Sequence, residues 1–282
     1  MPFTPSHAVV ALPFVRTPLI PAAIAVGAMA PDLPLFTRNL PVPYFRTHDL
    51  VWLPVTLLLA LGLLLVWRSV VRPAARELAP TWLAARLPAA WDAPASASAR
   101  ETLGLVASDR RRWRVSGGGA AVLALSLALG IVSHVLWDQF THEGRAGVEA
   151  VPVLGETWGP LLGYKWLQHG SSAVGLAVVG IFLLVWLSRR DAAASVPRVL
   201  PTWMRWAWWL SLPVVLATAW VTGLAAYGPL DAEFTVAHLA YRVLPRASGL
   251  WGAATLALCV GVQVARARDA RRANASGHTA AS

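Results

Sequence analysis

Charge is what this chain has least of. Only 13% of its 282 residues are charged and 56% are hydrophobic, where a soluble domain carries about 25% charged residues. With a mean hydropathy of +0.54, that deficit excludes an ordinary soluble globular protein. Cysteine is nearly missing too. Cys259 stands alone in LALCVGV, so no intramolecular disulfide and no thiolate metal cluster can form, and Cys259 reads as a small apolar residue of a buried or lipid-facing segment. Lysine is represented by Lys165 only. The formal charge of +10 is therefore almost entirely arginine, dispersed between apolar segments, and we expect no nucleic-acid partner. A glycine-rich nucleotide loop and a serine nucleophile elbow are also lacking.

What the chain does have is apolar length. Val51–Val66 (extending to Trp67), Gly119–Phe140, Ser172–Leu187, Trp206–Tyr227 and Ser248–Val264 approach or reach the roughly 20 residues that cross a bilayer. A sixth apolar region, residues 8–36, is interrupted by Pro13, Pro18, Pro21, Pro31 and Pro34. Proline is tolerated at a helix start and breaks a helix interior. The spacing therefore predicts two short helices, near Ser6–Phe14 and Pro21–Met29, folded as a re-entrant hairpin that turns at residues 16–18. Its broken backbone must be buried among other helices. The opening MPFTPSHAVV lacks the basic stretch of a secretory signal and is read as part of the mature chain. The fold class expected is all-α: a polytopic membrane bundle of five or six spanning helices plus this hairpin. Residues 1–267 would form a single membrane domain, with 72–118 as an Arg-rich cytoplasmic loop containing the flexible linker WDAPASASARE, and 268–282 as a disordered cytoplasmic tail. Tryptophans near segment ends, such as Trp52, Trp67, Trp203 and Trp206, fit an interfacial belt.

Arginine counts give an orientation. Nine arginines lie between Arg68 and Arg114, four between Arg189 and Arg205, and four from Arg266 onward. The alternating loops hold Arg38, Arg46, Arg145, Lys165, Arg242 and Arg246, together with most of the acids. The first set should face the cytoplasm, placing the C-terminus there and the protein in a bacterial inner membrane as a multi-pass component. Every histidine except His278 then falls on the external side. His238, in TVAHLAYR, is read as an interfacial hydrogen-bonding group.

On that side the run SHVLWDQFTHEG places His134, Asp138 and His142 four residues apart. Such positions share one helical face, about 6 Å further along the axis each time. Asp32 after GAMAP, His48 in RTHDL and His169 in LQHGSS stand at other segment ends, and the hairpin returns His7 beside Asp32. Ionisable groups at the edge of hydrocarbon are costly and turn inward. Neither Asp32 nor Asp138 has a basic partner at helical spacing, so a divalent metal is the simplest counter-charge. We take Asp32, His48, His134 and Asp138 as metal ligands, and His7, His142 and His169 as catalytic acid–base groups or further ligands. Imidazole and carboxylate without sulfur suit zinc first, with manganese or iron as alternatives. Asp49 and Glu143 adjoin His48 and His142 as candidates for orienting the imidazoles. Gln139 and Gln168 are further polar neighbours.

Together MPFTPSH, GAMAPDLPLF, SHVLWDQFTHEG and YKWLQHGSS resemble the bacterial membrane family catalogued as domain of unknown function 4184, over nearly the whole chain. More distantly, the pattern is similar to membrane-bound metal-dependent hydrolases of the YdjM type, with an early His, a Pro-Asp after an apolar run, a Thr-His and a later Ser-His followed by Asp. The matching positions are His7, Asp32, His48, His134 and Asp138. The chain departs from that pattern in having RTHDL where those proteins tend to carry His-Arg before Thr-His, so one potential ligand is absent. The resemblance implies a metal-dependent hydrolase. The location at a membrane face suggests the lipid bilayer as surroundings and a lipid-like or phosphoester substrate. The rival expectation is a non-catalytic membrane protein, either a metal or proton transporter or a scaffold with a structural polar cluster. A transporter should carry ionisable groups near the midplane, where this chain has LLLALGLLL and LAVVGIFLL.

Overall fold

The computed structural model describes residues 4–37, 41–108 and 112–279; for 106–108, 112–115 and 273–279 only the backbone is described. Arg38, Arg110 and Arg111, and the side chain of His278, lie outside what is described. Among the described residues the chain is helical, with two short β-hairpins, and five helices are long and apolar enough to cross a membrane. We label the principal helices α1 (Pro21–Met29), α2 (Leu53–Val66), α3 (Gly117–Thr141), α4 (Gly163–Ser188), α5 (Thr202–Tyr227) and α6 (Val236–Thr279). The expected all-α polytopic architecture is what the backbone adopts. The chain groups into two compact units. One holds the N-terminal hairpin, most of α2, α3 and α4. The other holds the segment after α2, α5 and α6.

In the first unit the proline-broken region folds as its spacing predicts. A 3-10 helix, Thr4–Phe14, is followed by a turn and by α1, which begins at Pro21. Eleven residues is long for a 3-10 helix, which seldom exceeds three or four. The hairpin packs on α3 through two glycines. A β-carbon on Gly130 would stand 2.1 Å from the Ile24 carbonyl oxygen, and one on Gly27 would stand 2.3 Å from that of Leu127. Only a bare Cα on each side permits this approach, the small-residue contact that membrane helices use in place of a hydrophobic drive. The Ile20 amide, at the start of α1, donates to Ser126 Oγ of α3 at 3.0 Å. The buried stripe of α3 runs Leu123, Leu127, Gly130, Ile131, His134, Asp138, Thr141, so the ionisable residues continue the same face as the apolar ones. On α4, by contrast, Val174, Ile181 and Leu184 are exposed, an apolar surface suited to lipid.

In the second unit, the span that begins at Leu50 widens into a π-helical turn at Trp67–Val71 before Pro73. Proline has no N–H and its ring crowds the carbonyl four residues back, and a π-bulge absorbs that conflict. The carbonyls of Ser69 and Val70 accept from Gln263 Nε2 of α6, at 3.0 and 3.3 Å. The expected flexible linker is structured: Arg72–Leu78, Thr81–Ala84, Ala89–Asp92 and Ala95–Thr102 are helical. They are held by side chains far away in sequence, which composition does not register. The backbone of α6 is helical through Thr279; residues 280–282 lie outside the description.

Candidate metal centre

Three elements of the first unit deliver the cluster. His134 and Asp138 sit one turn apart on α3, 0% and 2% exposed. His134 Nδ1 donates to the Ala28 carbonyl at 2.7 Å, a bond that depends on the close crossing at Gly130. A carbonyl can only accept, so Nδ1 carries the hydrogen and Nε2 presents a lone pair. After α1 the chain makes a 3-10 turn, Ala30–Asp32, that turns Asp32 inward. Thr4 Oγ1 donates to its Oδ2 at 2.7 Å, leaving Oδ1 to face the histidines. A short helix, Tyr44–Thr47, ends at His48. Thr47 is buried with its hydroxyl 2.7 Å from the Pro31 carbonyl, tying this turn to the one bearing Asp32. His48 Nδ1 lies 3.0 Å from the Tyr44 carbonyl, which fixes the same tautomer as in His134.

The consequence is a meeting of acceptors. His48 Nε2 and His134 Nε2 lie 3.2 Å apart with both Nδ1 hydrogens committed to carbonyls. Asp32 Oδ1 stands 3.6 and 3.7 Å from these two nitrogens, and Asp138 Oδ2 stands 3.5 Å from each. Four electron-rich atoms cannot be buried together without positive charge between them. Two cations can serve: a proton on His48 or a metal ion. Burial by itself depresses the basicity of His48, but its hydrogen bonds to Asp138 and Asp32 outweigh that and raise its pKa to about 9. The spacing also suits a metal, because donors around an ion about 2.0–2.2 Å from each lie roughly 3–3.5 Å apart.

His7 enlarges the donor set. Its ring centroid lies 4.2 Å from that of His134. Donor atoms of His7, His134 and Asp138 lie within 4.8 Å of one another, as do those of Asp32, His48 and His134. His7 Nε2 and Asp138 Oδ1 are buried and have no hydrogen-bond partner, an arrangement that native structures seldom leave unexplained. The residues therefore fit a metal on two grounds: orphaned buried donors, and facing lone pairs with fixed tautomers.

The remaining candidates separate. α3 ends at Thr141, so His142 is its first non-helical residue, yet its Nδ1 stays 3.6 Å from Asp138 Oδ2. Gln168, fully buried on α4, takes Lys165 Nζ on its carbonyl oxygen at 3.3 Å and turns its amide nitrogen to His142 Nε2 at 3.2 Å. That makes Nε2 the acceptor and Nδ1 the proton carrier facing Asp138. Burial lowers the His142 pKa. His169 is exposed on α4 and does not join the cluster. Asp49 accepts from the Val51 amide at 2.9 Å, and Glu143 accepts from Tyr164 Oη at 3.3 Å; backbone carbonyls orient His48 and His134, and the Gln168 amide meets His142. His238 caps α6, accepting from the Thr235 amide at 3.2 Å. Thr4 and Thr47 carry no metal-site signal in the sequence beyond their place beside conspicuous residues.

Two cavities border the cluster. One, of about 410 Å³, is lined by His7, Val9, Val10, Trp137 and Val174 among others. Another, of about 400 Å³, meets His48 alongside Asp49, Gln139 and Arg145.

The chain belongs to the family described as Domain of unknown function (DUF4184), whose model matches residues 1–260. No curated protein and no solved structure matches it, and the more distant similarity to membrane-bound metal-dependent hydrolases is not shown.

Proposed function

We propose that this protein is a membrane-bound metal-dependent hydrolase whose site opens at the external face of a bacterial inner membrane, with the C-terminus cytoplasmic. The observation that carries the reading is the pair of imidazole nitrogens 3.2 Å apart, each also 3.5–3.7 Å from a carboxylate oxygen of Asp32 and of Asp138. Asp32, His48, His134 and Asp138 hold the ion, zinc by preference and manganese or iron as alternatives. When bound, such an ion polarises an acyl or phosphoryl oxygen and acidifies water near neutral pH.

The chain's own residues do the rest. The carbonyls of Ala28 and Tyr44 hold both imidazoles in the tautomer that ligates, and Thr4 aims Asp32. His142, carrying its proton on Nδ1, steadies Asp138 from the outer side. His7 borders the apolar cavity and is the group placed to hand a proton to a departing oxygen. Hydrolysis uses one water: its oxygen bonds to the acyl carbon or phosphorus, the bond to the leaving oxygen breaks, and the leaving group takes the proton. The cavity at His48, with Asp49, Gln139 and Arg145 on its wall, supplies the water. Arginine asymmetry supports the sidedness.

Elemental analysis of detergent-purified protein tests the reading. At least one equivalent of zinc, manganese or iron per chain is expected, and the His134→Ala/Asp138→Ala double variant should retain helicity and lose the ion. Full occupancy in that variant would overturn the assignment.

A further inference from the structure

The apolar cavity beside His7 has an unusual division of polarity. The 3-10 helix Thr4–Phe14, α3 and α4 build its wall, which includes Ser6, His7, Val9, Val10, Ser133, Trp137, Ser171, Val174 and Gly175. Most of its polar groups are turned into the wall. Ser133 Oγ donates to the Gly130 carbonyl at 2.7 Å. Trp137 Nε1 donates to Ser171 Oγ at 3.2 Å, and Ser171 Oγ reaches the Gln168 carbonyl at 3.4 Å. The space these groups enclose is therefore carbon-faced. His7 also borders the cavity at 9% exposure, with its partnerless Nε2 fully buried. The same ring lies against His134 of the metal cluster. A polar end and an apolar body thus meet at one residue.

The place and size of the cavity narrow the occupant. Both α3 and α4 qualify as membrane-crossing helices, and Val174 at the rim is 64% exposed, so the opening lies on a surface of the kind that meets lipid. A carbon-lined cavity does not retain water, whereas hydrocarbon can enter it from the bilayer. At roughly 30 Å³ per methylene, about the volume share of a water molecule, about 410 Å³ accommodates on the order of a dozen methylenes. That matches one chain and is too small for two. The close seat of the 3-10 helix on α4 keeps the slot narrow: a β-carbon on Gly175 would stand 2.9 Å from the Ser6 carbonyl oxygen.

We propose that this cavity binds the single hydrocarbon chain of a long-chain ester, placing the ester end at His7 and hence at the metal cluster. The inference rests on the hydrolase reading for the ester, though not for the chain.

A photoactivatable probe tests it: dodecyl phosphate with a diazirine on the distal half of its chain, added to the full-length protein in nanodiscs. Mapping of labelled peptides should find the label concentrated on Val9, Val10 and Val174. Excess unlabelled dodecyl phosphate should compete it away, as should dodecanoate, the other product class of a long-chain ester. Val174→Trp, which narrows the slot without touching a metal donor, should reduce labelling at least tenfold while leaving the metal content unchanged. The His134→Ala/Asp138→Ala variant should still be labelled. Labelling there, with no metal in the wild type, would remove the hydrolase reading and leave the chain site standing. Metal in the wild type, with label spread evenly over α4 and α5 and indifferent to Val174→Trp, would overturn the chain site and leave the metal centre standing.

Discussion

The two compact units each bury an ionic cluster, and the clusters differ in their inventory of donors. In the second unit Glu77 is fully buried between α5 and α6 side chains, yet its oxygens are matched. Oε2 accepts from the Val199 amide at 3.0 Å and Oε1 from the Leu200 amide at 3.1 Å, with Arg205 and Arg266 within 3.7 Å. Arg266 in turn reaches Asp92 Oδ1 at 3.1 Å and the Pro73 carbonyl at 2.7 Å. This is a structural junction in which both carboxylate oxygens have donors, while the neighbouring Arg198, bonded to the Glu77 carbonyl, keeps one partnerless nitrogen, Nη2. In the first unit Asp138 Oδ1 and His7 Nε2 find no donor, and two imidazole nitrogens face each other as acceptors. Both sets are buried ionisable groups. The lesson is that the count of donors against acceptors separates a fold-holding cluster from one built around a cation.

The largest expected effect contrasts the two directly. Glu77→Ala strands two arginines and two amides, and removing one partner of a buried pair costs about 3–5 kcal/mol; thermal unfolding should register that loss while the metal content of the folded fraction is unchanged. Asp138→Ala should instead abolish bound metal, and the metal-free protein should also lose stability at neutral pH, where protonated His48 and the Nδ1–H of His142 lose the carboxylate they face. If both variants keep their metal, or both lose it, the contrast fails.

Next in size is Gly130→Leu. Its side chain would enter the backbone of α1, and such overpacking typically costs about 1–3 kcal/mol. It should also part His134 from Ala28 and weaken metal affinity by at least tenfold. Unaltered affinity at reduced stability would separate the helix crossing from the site.

Acidity sharpens the comparison further. Without metal, the His48 pKa is raised from 6.5 to about 9. Its contribution to stability is thus fully present below the unfolded value and is lost as pH rises from 6.5 through 9. A metal must displace that proton, so uptake near pH 7.5 should release about one proton per ion, and affinity should fall as pH is lowered below 9. Calorimetry in buffers of different ionisation enthalpy reads the number. Zero released protons would contradict the shared role of His48.

The smallest effect is at the outer contacts. Thr4→Val removes the hydrogen bond to Asp32, and loss of such a contact weakens metal binding by about 10–100-fold. His169→Ala, at an exposed position, should leave affinity within error in the same titration.

Much of this was legible in the sequence, for identifiable reasons. His134 and Asp138 announced themselves because helical spacing put them on the buried stripe of an apolar run, and the prolines between Pro13 and Pro34 dictated a hairpin that returns His7 to Asp32. The glycine crossing at Gly27 and Gly130 and the carbonyls that fix both tautomers were hidden, because backbone atoms carry no residue signature. His142 left the stripe because α3 stops at Thr141. Glu77 was passed over, and its surroundings read as linker, because its partners lie more than 120 positions away and no local window contains them.

Anomalous X-ray scattering from crystals of the intact protein, recorded on both sides of the zinc, manganese and iron edges, tests the central claim most directly. The account predicts a peak between His48 Nε2 and His134 Nε2, about 2.0–2.2 Å from each, with carboxylate oxygens of Asp32 and Asp138 at bonding distance. An ordered cluster with no anomalous density there at any edge, and with His48 donating a hydrogen bond to Asp138, would contradict it.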